Sequence, residues 1–262
     1  MKNLNLLVVE GNLQEENDCF KKNGIPTHAE SLKESLSYYT KDLNIDVFNP
    51  CSEKSFDKIL PDIKKYHGLI WGGSSLNIYN DTPEIRKQLE FMKNCQNKVK
   101  NILAICWGMQ VAVTAAGGQV KKANNPHIGI AKEITLNKNG LNHNLYKDKD
   151  SQFNSPAFNF DEVVKIPENG ICLASNKVNK VQSLYFETNQ TKIWGLQYHP
   201  EITYEKMISL INFRKRRLIE TRKVFKNEND IENHVSFIEN EILTSDKEKR
   251  MLELKNWLKS IN

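Results

Sequence analysis

Apolar and polar positions follow two different periods along this chain, and the changes of period mark its organisation. Leu4-Asn5-Leu6-Leu7-Val8-Val9 is a nearly unbroken apolar run of strand length that stops before the turn signal Gly11-Asn12, the pattern of a strand covered on both faces. Leu32, Leu36 and Tyr39 then fall at helical spacing within 31–41, and Ile45-Asp46-Val47-Phe48 resumes a strand ahead of Pro50. The order repeats with a helix over 56–65, a strand at Gly68-Leu69-Ile70-Trp71, a helix opening near Thr82-Pro83 and a strand at Asn101 to Ile105. Strands alternating with helices through short connections predict an α/β fold, a mostly parallel sheet with helices on both faces.

From about 117 to 198 strand-like runs dominate: Ile128 to Leu136, Glu162 to Ile166, Ile171 to Ala174, Val181 to Phe186 and Lys192 to Gln197. Turn-rich pieces, Asn137-Lys138-Asn139-Gly140 and Pro167-Glu168-Asn169-Gly170, separate them. Antiparallel additions to the sheet are expected there. Beyond Glu201 the pattern is helical, with Ile231, Val235, Ile238 and Ile242 on one face that needs a partner surface. The reading is a main domain over 1–216 and a helical C-terminal extension over 217–262, packing on that domain or on another protein chain.

Composition narrows the class. A chain of 262 residues buries a sizeable core. The net charge of +5 is small beside 37 basic and 32 acidic residues, so no nucleic-acid partner is demanded. The densest basic run, 214–217, lacks interleaved aromatics and reads as a solvated helix face rather than a phosphate-binding patch. Five cysteines without short paired spacing argue against a disulfide framework or a zinc site. No signal-peptide core and no window of about 18 apolar residues is present, which points away from a membrane and toward the cytoplasm.

Chemistry concentrates at three places. Asn101 to Gln110 runs an apolar strand straight into Cys106 and then into an apolar helical stretch from Met109 to Ala116. This is the layout of a nucleophile elbow, in which a tight turn projects a side chain at the carboxyl edge of the sheet beside small residues, here Ala104 and Gly108. A helix N-terminus and a neighbouring imidazolium there would favour thiolate. In Gly195-Leu196-Gln197-Tyr198-His199-Pro200-Glu201, residues two apart in extended chain face one side, so His199 and Glu201 suit a base and its orienting carboxylate. Gly72-Gly73 closes another apolar strand, where backbone N–H groups can turn toward an oxyanion. Taken singly, each has a plain alternative: a buried small hydrophobe, a solvated strand end and a simple turn. Glu10-Gly11-Asn12 reads as a turn, and the other cysteines, with His28, His67, His143 and His234, read as structural and without metal spacing.

In order, the three features resemble the class I glutamine amidotransferases, especially the glutaminase domain of GMP synthetase and its stand-alone relatives, over about residues 4 to 215. Cys106, Gly108 and Gln110 match the family's Gly-x-Cys-x-Gly-x-Gln, and Gly195, Gln197, His199, Pro200 and Glu201 match Gly-x-Gln-x-His-Pro-Glu. The resemblance implies a flavodoxin-like three-layer sandwich. It implies that Cys106 attacks the side-chain amide of L-glutamine to form a γ-glutamyl thioester, that His199 moves the protons, and that Glu201 holds the imidazole. Backbone amides of Gly73 and Trp107 would bind the oxyanion, Gln110 would contact the substrate, and no metal or organic cofactor is required. The matches are incomplete. Ala104 replaces a glycine, Ser74 a proline, and His127 a frequent glutamate. Asn159 in Phe158 to Val163 stands where His-x-Asp-x-Val carries histidine beside the substrate.

Three functions follow from different classes. One is a glutamine amidotransferase releasing ammonia to an acceptor, with a synthetase as its partner because no Ser-Gly-Gly-x-Asp-Ser loop for ATP occurs in the chain. Another is a γ-glutamyl hydrolase or peptidase acting on a larger γ-glutamyl compound with the same three residues. The third is a non-enzymatic binding or regulatory module. The order Cys106, His199, Glu201 disfavours an α/β-hydrolase, whose acid normally precedes its histidine.

Overall fold

The computed structural model describes residues 3–262. The chain opens with β1 (Leu4–Val9), α1 (Gln14–Lys22), α2 (His28–Tyr39), β2 (Leu43–Phe48), β3 (Gly68–Trp71), α3 (Pro83–Cys95), β4 (Asn101–Ile105) and α4 (Trp107–Ala115). Next come β5 (Gln119–Ile128), β6 (Ala131–Leu136), the single turn α5 (Lys138–Leu141), β7 (Gln152–Ser155), β8 (Phe158–Lys165), β9 (Ile171–Ser175), β10 (Ser183–Thr188) and β11 (Thr191–Leu196). Helices close the chain: α6 (Tyr204–Phe213), a π-helical turn (Arg217–Thr221), α7 (Glu228–Thr244), α8 (Lys247–Arg250) and α9 (Leu252–Ser260).

The large sheet runs β2-β1-β3-β4-β11-β10-β9-β6-β7. Its first five strands are mutually parallel, and the remaining four alternate in direction. The parallel part has the flavodoxin-like order, whose ligand crevice lies outside the carboxyl ends of the strands. Strands β5 and β8 form a separate antiparallel pair.

Alternate residues of the buried strands feed two cores, as the pleat requires. Leu6, Val8, Ile70 and Leu103 point into one with α2 and α9, while Leu7, Val9, Leu69 and Ile102 point into the other with α3 and α4. Local signals explain where the helices begin. Thr27 and Glu30 form a reciprocal capping box on α2, and Thr82 caps α3 with Pro83 in its first turn.

Two expectations need correction. No helix forms over 56–65; the segment makes turns and one 3-10 turn at Ile63–Lys65. Pro61 lacks an N–H and restricts Leu60, which overrides the apolar spacing. The run Ile128 to Leu136 is not one strand either. It breaks at Gly129, whose φ of 81° turns the chain between the small sheet and the large one.

The C-terminal helices pack on the α/β body. Ile231 and Ile238 of α7 are buried with Ile128, Ile130 and Ile211, while Leu254, Trp257 and Leu258 of α9 belong to the core beneath β1 and β3. Trp257 is 1% exposed and fills the space beside Gly68. Trp257→Ala is therefore expected to cost about 3–5 kcal/mol in urea unfolding. Leu243→Ala, at a side chain 83% exposed, is expected to stay within about 0.5 kcal/mol.

Candidate active site

Three adjacent parallel strands, β3, β4 and β11, end at one edge of the sheet. Each carries a predicted site residue just past its end. Cys106 joins β4 to α4 with φ 53° and ψ −104°, a left-handed conformation rarely adopted by a residue with a side chain. Its N–H donates to Leu196 O at 2.6 Å, fixing the turn against β11. Gly108 is what permits this turn: a Cβ there would lie 2.4 Å from Trp71 O, so the start of α4 presses directly on the end of β3. Ala104, in place of the family glycine, is buried within β4 opposite Trp71 and Gly195.

His199 and Glu201 meet as expected, but not through an extended segment. The strand ends at Leu196, and His-Pro-Glu forms a tight turn closed by Ile202 N–H donating to His199 O at 3.3 Å. His199 Nδ1 lies 2.7 Å from Glu201 Oε1, with the two side chains 2% and 0% exposed. Burial opposes charge on His199, but the Glu201 carboxylate, followed by the Cys106 sulfur, outweighs it and its pKa is pushed up to about 10.

The turn is held from outside. Arg250 Nη1 donates to Pro200 O and Ile202 O at 2.5 and 2.6 Å, and Ser35 Oγ donates to Glu201 O at 2.9 Å. Tyr198 donates to Glu253 Oε1 at 2.7 Å, and Glu253 also pairs with buried Lys149. Gly73, just past β3, lies so close that a Cβ there would approach His199 Cε1 to 2.9 Å. Trp107 opens α4, where first-turn amides have no intrahelical acceptor.

Beyond Cys106 a narrow cleft is bordered by Gln110, Asn159, Asp161, Arg214, Arg217 and Arg222. Gln110 is buried, its amide 3.5 Å from Gln197 Oε1. Asn159 is buried as well and donates to Asp161 O at 3.1 Å. Asp161 accepts from Asn77 Nδ2 at 2.7 Å and from Tyr79 OH at 2.8 Å, while burial raises its pKa. His127 lies elsewhere, bonded to the side-chain amides of Asn176 and Gln182. Burial holds its pKa down near about 4.

The reading of the 214–217 run as a solvated face holds for Arg216 and Arg217, which are exposed, but not for Arg214, which is mostly buried and paired with Glu16 at 2.8 Å. Arg217, though exposed, borders the cleft together with Arg222. Glu10-Gly11-Asn12 is more than a turn. Asn12 Oδ1 accepts from Ser75 N–H at 2.9 Å, placing it behind the cleft lining. His28 also has a place at the site; its ring stacks on His199 at 5.5 Å and is buried. Burial, then Lys206 and His199, drive its pKa well down, so it stays neutral. Ligand atoms of His28, His199 and Glu201 lie within 4.8 Å of one another, the one such grouping among the described residues. Arg222, Arg250 and His28 belong to no motif, and only contacts made by folding reveal them.

Residues 28–215 match the family model described as glutamine amidotransferase class-I. The chain belongs to the class I glutamine amidotransferase family. Its curated relatives in the family include a γ-glutamyl-L-1-hydroxyisopropylamide hydrolase of a Pseudomonas species, 27% identical over 84% of this chain and 75% of that protein. A glutamine-hydrolysing GMP synthase subunit of Sulfolobus acidocaldarius is 30% identical over 61% of this chain and 81% of that one, and γ-glutamyl peptidase 4 of Arabidopsis thaliana 29% over 58% and 60%. Among solved structures, a glutamine amidotransferase from Thermotoga maritima superposes with TM-score 0.67 at 16% identity, covering 100% of this chain and 99% of that one. Among the described residues no helix is long and apolar enough to cross a membrane.

The raised pKa of His199 has a consequence for stability. Its unfolded value is near about 6.5, so between about 6.5 and 10 the folded chain holds a proton that the unfolded chain has released. The stabilisation is complete below that window and is lost as pH rises through it. Glu201→Gln removes the largest influence raising this pKa. Urea midpoints between pH 7 and 9.5 are expected to fall more steeply for the wild type than for Glu201→Gln; parallel profiles would contradict the coupling.

Proposed function

We propose that the chain hydrolyses γ-glutamyl amides through a thioester on Cys106. One observation carries this reading: a cysteine in a left-handed conformation at a strand-to-helix junction, electrostatically coupled to a buried His199–Glu201 pair. The Cys106 thiolate attacks the γ-carbonyl carbon, and the Gly73 and Trp107 amides donate hydrogen bonds to the developing oxyanion. The His199 imidazolium gives its proton to the leaving nitrogen as the C–N bond breaks. Neutral His199 then takes a proton from water, whose oxygen attacks the thioester; the C–S bond breaks, releasing glutamate and the thiolate. Glu201 keeps the ring in one tautomer and stabilises its cation.

The favoured substrate is a γ-glutamyl amide with an amine larger than ammonia as leaving group. The similarity to the γ-glutamyl-L-1-hydroxyisopropylamide hydrolase spans 84% of the chain and so must reach past residue 215, where the family model ends. Arg217 and Arg222 of the cleft wall lie past that point. The second reading, ammonia release from glutamine to a partner synthetase, is favoured by the 30% identity to the Sulfolobus GMP synthase subunit, which covers 61% of the chain.

Turnover of glutamine beside γ-glutamyl alkylamides and γ-glutamyl dipeptides separates the two, with higher kcat/KM expected for the larger amides. Preference for glutamine would select the amidotransferase reading. Cys106→Ala is expected to abolish turnover, and Glu201→Gln to lower kcat roughly 10²- to 10⁴-fold. Wild-type protein inert toward all of these compounds would refute both readings.

A further inference from the structure

The buried face of α3 carries one side chain that apolar packing leaves unaccounted for. Ile85, Phe91, Met92 and Cys95 line that face, and Gln88 sits among them with 0% exposure. A fully buried amide is kept where its hydrogen bonds are met. Gln88 Oε1 accepts from Trp107 Nε1 at 2.7 Å, while Gln88 Nε2 donates to Gly11 O at 2.9 Å and lies 3.3 Å from Cys51 Sγ. One side chain thus ties the first residue of α4 to the loop that leaves β1.

Both tied points touch the ends of the central strands. A Cβ on Gly11 would lie 2.7 Å from Trp107 Cδ1 and 2.8 Å from Gly73 O, so Gly11 packs directly on both residues. The neighbouring backbone amides are committed: Gly72 donates to Val9 O at 3.0 Å, Cys106 to Leu196 O at 2.6 Å and Gly108 to Gly72 O at 3.2 Å. Among these anchors the amides of Gly73 and Trp107 have no acceptor among the described residues.

Resting on the thioester reading above, we infer that Gln88 is a positioning residue for the two oxyanion donors. It touches no substrate atom. It fixes the Trp107 indole against Gly11, and Gly11 backs Gly73, so the two amides keep one separation and one aim. A donor serves a tetrahedral oxyanion only at about 2.7–3.1 Å, a tolerance that a locked supporting shell maintains. The oxyanion exists in the transition state and not in the bound amide. Loosening this shell therefore slows turnover without weakening substrate binding. A side chain that only held the fold would shift the urea midpoint and leave kcat of the folded protein alone.

Gln88→Met and Trp107→Phe test this in the full-length protein with γ-glutamyl p-nitroanilide. Each removes one end of the bond, and Trp107→Phe keeps both an aromatic ring and the main-chain amide. Each is expected to lower kcat roughly 10- to 100-fold with KM within about 3-fold of wild type. The double variant is expected to fall little below the slower single, since all three lack the same bond. Alkylation of Cys106 by iodoacetamide, followed in its peptide by mass spectrometry, needs no oxyanion and is expected to keep the wild-type rate. Gln88→Glu is expected to approach the kcat of wild type at the same pH as pH falls, because a protonated carboxyl accepts and donates as the amide does. Wild-type kcat in Gln88→Met, effects that multiply in the double variant, or alkylation slowed as much as turnover would overturn the positioning role while leaving γ-glutamyl hydrolysis standing. A wild type that is acylated at Cys106 by no γ-glutamyl amide would overturn this inference and the reading beneath it together. Urea midpoints establish that each variant is folded in the assay; if Gln88→Met is not, Trp107→Phe and Gln88→Glu decide by the same kcat and KM criteria.

Discussion

The close approach of α4 to the end of β3 is the constraint on which the site depends. Gly108 packs against Trp71 with no room for a methyl group, and this contact lets the chain reverse at Cys106 with a φ of 53°. A left-handed residue with a side chain costs about 1–3 kcal/mol and persists only where its surroundings over-determine it. Here the surroundings are the Leu196 carbonyl on one side and the buried body of α4 on the other. If the turn relaxed, the sulfur would lose its place beside His199, and the charge coupling that holds the imidazole proton would weaken.

A second constraint comes from far along the chain. The His-Pro-Glu turn lies outside the sheet, so strand pairing does not hold its backbone. Arg250 takes the carbonyls on either side of Glu201, and Glu253 takes the hydroxyl of Tyr198, next to His199. Glu253 is buried and paired with Lys149, itself 3% exposed. Removing one partner of such a pair leaves an uncompensated buried charge, a cost of about 3–5 kcal/mol. The C-terminal helices thereby couple global stability to the orientation of the imidazole–carboxylate pair.

The fold is legible where the chain obeys local rules. The apolar strands β1, β3 and β4 are buried on both faces and stand out as continuous runs, and Thr82-Pro83 announces α3. Polar elements are not legible. Strand β7 and most of β5 present few apolar side chains, and α1 has one fully buried apolar residue, Phe20. Their structure depends on partners distant in sequence. At the site, Cys106, His199 and Glu201 are readable because each occupies a position in a family pattern, and the structure brings them together, though by a turn rather than an extended segment.

The basic run resists reading from sequence for a reason that is itself physical. Charge spacing along a helix says which residues share a face, but not what that face covers. At the end of α6 the chain departs from α-helical periodicity into a π-helical turn over Arg217–Thr221, so the periodicity used to assign a solvated side no longer applies. Arg216 does remain in solvent, its side chain 88% exposed, while Arg214 two positions earlier is 14% exposed against Glu16. Such turns are found mostly as local departures within α-helices, frequently at functional sites. Past that change of register, Arg217 and Arg222 border the cleft that holds Cys106, a placement that charge spacing along a regular helix does not foretell.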